Sequence, residues 1–166
     1  MGFLGFGRPN VERLAAKGDI EGLVRAAKYK KDPQVREAAR VALEAQLEFF
    51  VAKLGSRSLR RVVLSREALK LIGEPSVALL GEVLVKGDVG KRSDAAFALG
   101  EVGLPSALPA LEAALKDEEP QVRVLAVKSL ARLDDERVPA LLETACRDRD
   151  ESVRYHAGKA RKALGV

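Results

Sequence analysis

The sequence predicts an all-α fold assembled from about five two-helix repeats. Three observations carry that expectation: an apolar set dominated by Ala and Leu with no Trp, an arginine that recurs at a fixed interval, and apolar positions spaced for one face of a helix. The 166 residues, 47% of them hydrophobic, suffice to bury a sizeable core. They are read as one domain, 1–166, with an apolar tail over 1–10, an N-terminal helix pair over 11–30 and a C-terminal capping helix over 151–166.

The opening Met1-Gly2-Phe3-Leu4-Gly5-Phe6-Gly7 is too short for a signal segment and has no positive charge before it. Phe6 stands where a myristoylation motif wants Ser or Thr, so the stretch is expected to pack over the first helices. No longer apolar run exists, so no membrane span is expected. Val11 to Ala16 and Ile20 to Ala27 then read as two helices broken at Lys17-Gly18-Asp19, with Gly at a helix stop and Asp at the next start.

The repeat begins at Asp32-Pro33-Gln34-Val35-Arg36, followed by Ala39, Ala42 and Leu43. From Gln46 to Arg61 no clear Pro or Gly turn appears before Gly55, so Val35 to Leu54 reads either as one long helix or as two broken near Gln46. A worn copy follows, with Val62 in the place of the arginine and Ser65, Ala68 and Leu69 behind it.

Three further copies align without gaps: Asp88 to Arg92, Glu119 to Arg123 and Asp150 to Arg154, their arginines 31 residues apart. Behind each arginine a small residue stands three positions on (Ala95, Ala126, Ala157) and another six positions on (Ala98, Ser129, Ala160), which allows close helix approach. Ile72-Gly73-Glu74-Pro75 parallels Val102-Gly103-Leu104-Pro105. After Gly103, the leucines at 108, 111 and 115 make an amphipathic stripe, with Pro105 and Pro109 near the helix start. Glu119 and its counterparts Asp32 and Asp150 are expected to cap the helices they precede. Arg161 takes the place held by Leu99 and Leu130 in earlier units, and Lys162 follows it, which reads as a polar end to the array.

The pattern Asp-x-x-Val-Arg-x-x-Ala, with Gly-x-Pro-type turns and a period near 31, resembles the HEAT-like repeats typified by the phycobilin lyase family over roughly residues 19 to 166. The resemblance implies a right-handed α-α superhelix in which the helix beginning at Val-Arg lines the inner curve. It also implies Asp–Arg links between adjacent units, for which Arg36, Arg92, Arg123 and Arg154 are suited. Lys91, where the family has Val, is a departure. If the geometry holds, the residues one, two and five after each arginine face the groove: Ser93, Asp94 and Phe97, then Val124, Leu125 and Lys128, then Tyr155, His156 and Lys159, with Glu37, Ala38, Val41, Val63, Leu64 and Glu67 in the earlier units.

No constellation for chemistry stands out. His156 is the one histidine, and neither Ser152 and Asp150 nor Cys146 supplies the buried acid and oxyanion site that nucleophilic catalysis needs. One His and one Cys cannot make a structural zinc site, and helical-repeat proteins with a di-iron centre use several His-Glu pairs. Glycines mark turns and form no phosphate loop. The pairs Glu118-Glu119 and Asp134-Asp135 read as helix caps.

The expectation is therefore a non-enzymatic protein–protein interaction scaffold without a cofactor, binding a protein or peptide. Its partner-binding candidates are Asp94, Phe97, Lys128, Arg132, Tyr155, His156 and Lys159, with Lys162 extending the basic cluster. Nucleic-acid binding through a basic groove is the alternative, suggested by the net charge of +5 and by Arg57, Arg60 and Arg61 standing together; few aromatics and many acids oppose it. A bilin lyase or chaperone-like role rests on the family analogy alone. The lone Cys146 suits a reducing, cytoplasmic setting, and one Asn among abundant Arg, Glu and Lys is a thermophile-like choice.

Overall fold

The structure, a computed structural model, describes residues 8–166, so the expected packing of Phe3, Leu4 and Phe6 lies outside the described residues. The described residues form eleven α-helices and one 3-10 turn, without strands. They divide into two compact units, one ending at Leu47 and one running from Glu48 to Val166.

The first unit holds α1 (Val11–Ala16), α2 (Ile20–Ala27) and α3 (Pro33–Glu44). Asp19 Oδ1 accepts from the Gly22 amide at 2.8 Å and Asp32 Oδ1 from the Gln34 amide at 2.9 Å, so both predicted aspartate caps form. Leu23, Val24, Ala26, Val35, Ala39 and Leu43 make the buried faces, and Leu14 and Tyr29 pack against them. Helix α3 stops at Glu44, and α4 (Leu47–Ala52) starts after Ala45 and Gln46, so the stretch left open by the sequence is two helices.

The second unit continues with α5 (Leu59–Ile72), α6 (Glu74–Lys86), α7 (Val89–Val102), α8 (Leu108–Ala114), α9 (Pro120–Leu130), α10 (Val138–Ala145) and α11 (Glu151–Leu164). Each odd-numbered helix from α5 carries a repeat signature, and α5 packs on α7, α7 on α9 and α9 on α11. The small columns explain this tight layer: Ala95, Ala98, Ala126, Ser129 and Ala157 are fully or almost fully buried. Gly100 marks a close approach of α7 to α9, since a Cβ there would lie 2.5 Å from Ser129 Cβ and 2.7 Å from its Cα. With α3, these helices make five signature-bearing second helices, paired in sequence with α2, α4, α6, α8 and α10.

Three local expectations are corrected. Pro105–Ala107 is a 3-10 turn and not the first turn of α8. The cause is Pro109, which lacks an N–H and whose ring crowds the carbonyl four residues back, so α geometry cannot run through 105. Glu119 makes no side-chain cap bond. Instead Asp117 Oδ1 accepts from the Glu119 amide at 2.9 Å, and Asp148 Oδ1 repeats the arrangement with the Asp150 amide at 2.8 Å. Likewise Glu118 pairs with Arg92 at 3.2 Å, while Asp135 holds the Arg137 amide and guanidinium, which take its carboxyl down to about 2.

Candidate interaction surface

Arginines set the spacing of the second helices. Arg123 Nε and Nη2 close on the two oxygens of Asp148 at 2.9 and 2.8 Å, and Arg92 does the same to Asp117 at 2.8 and 2.9 Å. The remaining nitrogen, Nη1, donates to turn carbonyls just before its own helix: Gly87 for Arg92, Asp117 and Glu118 for Arg123, Asp148 and Arg149 for Arg154, and Tyr29 and Lys30 for Arg36. Each such arginine fastens the turn that leads into its helix, and two of them also clamp the next turn along the chain. In the worn unit both halves of the clamp are replaced. Val62 takes the arginine's place, and Lys86 stands 31 residues before Asp117, where the carboxylate would be.

That unit is joined to α7 by other means. The Gly55 amide, on a turn with positive φ (71°), donates to Asp94 Oδ2 at 2.8 Å. A side chain at Gly55 would also meet the Lys91 amide nitrogen at 2.9 Å, so glycine suits the position twice over. Asp94, chosen from sequence as a partner contact, is thus engaged by backbone. Beside it, Arg66 lies 3.9 Å from both Asp94 and Glu101, and its guanidinium carbon sits 4.3 Å from the centroid of Phe97. Arg132 reaches the same ring at 5.0 Å. Phe97 is half-buried between core and solvent. Arg66 and Glu101 were not singled out from sequence. The available signal was an arginine in the column that holds Ala96, Val127 and Gly158 in the later units.

Further along the layer, Tyr155 is 65% exposed and its ring meets His156 edge-on at 5.2 Å. Burial, and then the charges of Lys128 and Lys159, hold His156 below its usual value. Lys128, Arg132 and Lys159 are exposed. Helix α9 contains no carboxylate, and α11 has one acid, Glu151, in its first turn. Ser93 and Val124, expected to face the groove, are buried. Both lie one position after the arginine, on helices that have a later helix packed on them; Tyr155, at the same position of α11, has no later helix of the described residues against it and is exposed.

The other candidate groups do not converge. Asp150 Oδ1 is occupied by the Ser152 and Val153 amides at the start of α11, and Cys146 is half-buried. Among the described residues no three His, Cys, Asp or Glu side chains gather as a metal site, and no helix is long and apolar enough to cross a membrane.

Comparison with known proteins agrees with this architecture. Human deoxyhypusine hydroxylase in complex with glycerol superposes with a TM-score of 0.58 at 20% identity, over 93% of this chain and 76% of that one. A chain of the Kap95p complex with RanGDP does so at 0.52 and 14% identity, over 99% of this chain and 25% of that one. At these identities the likeness is one of fold alone. No curated protein matches in sequence. The family model for HEAT repeats matches residues 77–161, slightly more than half of the chain, and with the repeated arginines and paired helices this establishes that the chain belongs to the HEAT repeat family.

Proposed function

We propose that the chain is a non-enzymatic scaffold that holds a protein or peptide partner on the exposed face of α7, α9 and α11, the face that the family resemblance implies is concave. The observation that carries this reading is an aromatic ring packed against cations, Phe97 under Arg66 and Arg132, with a second, exposed ring, Tyr155, edge-on to His156 on α11. Aromatics and arginines with a partly desolvated base are the side chains that most often anchor partners. The adjacent cations favour an acidic partner surface and speed its approach.

Nucleic acid is disfavoured by the same geometry. Base stacking needs a free ring, and Phe97 already holds two guanidiniums, with Asp94 and Glu101 close by to repel phosphate. Affinity capture with the parent chain and with Phe97→Ala/Tyr155→Ala tests the proposal. The expected result is a partner recovered by the parent and lost by the variant, while Tyr155→Ala alone shifts stability by no more than about 0.5 kcal/mol. Equal recovery by parent and variant removes this face from consideration. Tight binding of mixed DNA or RNA that weakens steeply between two salt concentrations favours the nucleic-acid alternative.

A further inference from the structure

The arginine series contains a site that the scaffold reading does not use. In Arg123 the anchoring nitrogen Nη1 donates to Asp117 O at 2.8 Å and Glu118 O at 3.0 Å, which leaves Nε and Nη2 aimed at Asp148. In Arg154 the same nitrogen donates to Asp148 O at 2.8 Å and Arg149 O at 3.0 Å. The two guanidiniums are therefore held alike, yet Nε and Nη2 of Arg154 meet no acceptor among the described residues, and the side chain is exposed. A fork fixed by two backbone carbonyls has already lost most of its rotamer freedom, so little ordering remains when a carboxylate arrives.

We propose that the Nε–Nη2 edge of Arg154 is a preformed receptor for an aspartate of a partner protein. The molecule supplies the template for the ligand. Asp117 and Asp148 each stand three residues before a helix start, in a turn where the same carboxylate accepts a backbone amide. A partner with such an acidic turn would dock against the start of α11 as a further repeat would. A second copy of this chain does not offer either of those turns, because Arg92 and Arg123 already close them. Tyr155 follows Arg154 directly in sequence, but the site uses neither its ring nor that of Phe97.

The test uses the full chain labelled with nitrogen-15 and a synthetic peptide, Asp-Glu-Glu-Pro-Gln-Val, that copies residues 117–122. The Nε–H resonance of Arg154, assigned by its disappearance in Arg154→Lys, is expected to shift saturably as peptide is added. The Arg92 and Arg123 resonances should stay in place. A peptide with Asn for its aspartate should bind about fivefold more weakly, the scale of an exposed bidentate pair. Lys128→Gln/Lys159→Gln should leave the Arg154 response intact. An unmoved Arg154 resonance at excess peptide, an equal response to the Asn peptide, or a response lost in the double lysine variant would each overturn the proposal. The last outcome would return the peptide to the α9–α11 face, so this site and the scaffold reading fail separately.

Discussion

Arg123 and Asp148, 25 residues apart in sequence, meet through two parallel hydrogen bonds of 2.9 and 2.8 Å, with the arginine only 2% exposed. A buried guanidinium is tolerated because each of its three nitrogens has an acceptor. Removing one partner strands the other. Asp148→Ala is expected to cost about 3 kcal/mol in urea denaturation, well above the cost of losing an exposed pair.

The same pair should shape the acid limb of stability. Burial pushes the Asp148 carboxyl up from 3.8, but the Arg123 hydrogen bonds, the Asp150 amide and the nearby positive charges outweigh it and hold the group below that value. On acidification the unfolded chain therefore takes up its proton first. The stabilisation is complete above the ordinary value and lost as the pH falls through the lower folded one. Stability of Arg123→Gln/Asp148→Asn, followed by thermal melts, should fall less steeply than the parent's below about pH 4.

Gly100→Ala sets two effects against each other. Alanine favours the helix by about 1 kcal/mol over glycine. Its methyl, however, would meet the Ser129 side chain and, at 2.7 Å, the Ser129 Cα, and backbone cannot rotate away. Forcing α7 and α9 apart should win, for a net loss of about 2 kcal/mol by urea denaturation. Ser129→Gly added to it should restore only part of that loss, since the α9 backbone still stands in the way of the methyl.

Asp94→Ala should destabilise by about 1 kcal/mol, because it removes the acceptor of the Gly55 amide. Asp94→Asn keeps an acceptor oxygen and should lose less. If Asp94→Ala denatures at the parent's urea midpoint, the link between α7 and the Gly55 turn contributes nothing.

His156 should titrate below 6.5, as followed by its ring-proton shift. Burial is the larger cause and the Lys128 and Lys159 charges come second. Lys128→Gln/Lys159→Gln should therefore raise the midpoint without returning it fully to 6.5. Because the folded value is the lower one, the histidine's contribution to stability is complete above 6.5 and declines as the pH falls through the folded midpoint. An unchanged midpoint in the double variant would place the lysines away from the ring.

The repeat period, the signature-bearing helices, the aspartate caps at 19, 32 and 150 and the buried small columns could all be read from residue order. They depend on interactions within a turn or on one helix face, and a linear pattern records both. The replacement of Glu119 by Asp117 at the α9 turn and the meeting of Arg66 with Phe97 and Glu101 could not. Each depends on which of several nearby polar or bulky groups reaches a shared space first, and only the packing of one unit on the next decides that. The same division explains Arg36, Arg92, Arg123 and Arg154. Their common spacing marks them as equivalent, while the tertiary structure alone distinguishes a guanidinium closed by an aspartate, as in Arg123, from one whose outer edge is open, as in Arg154.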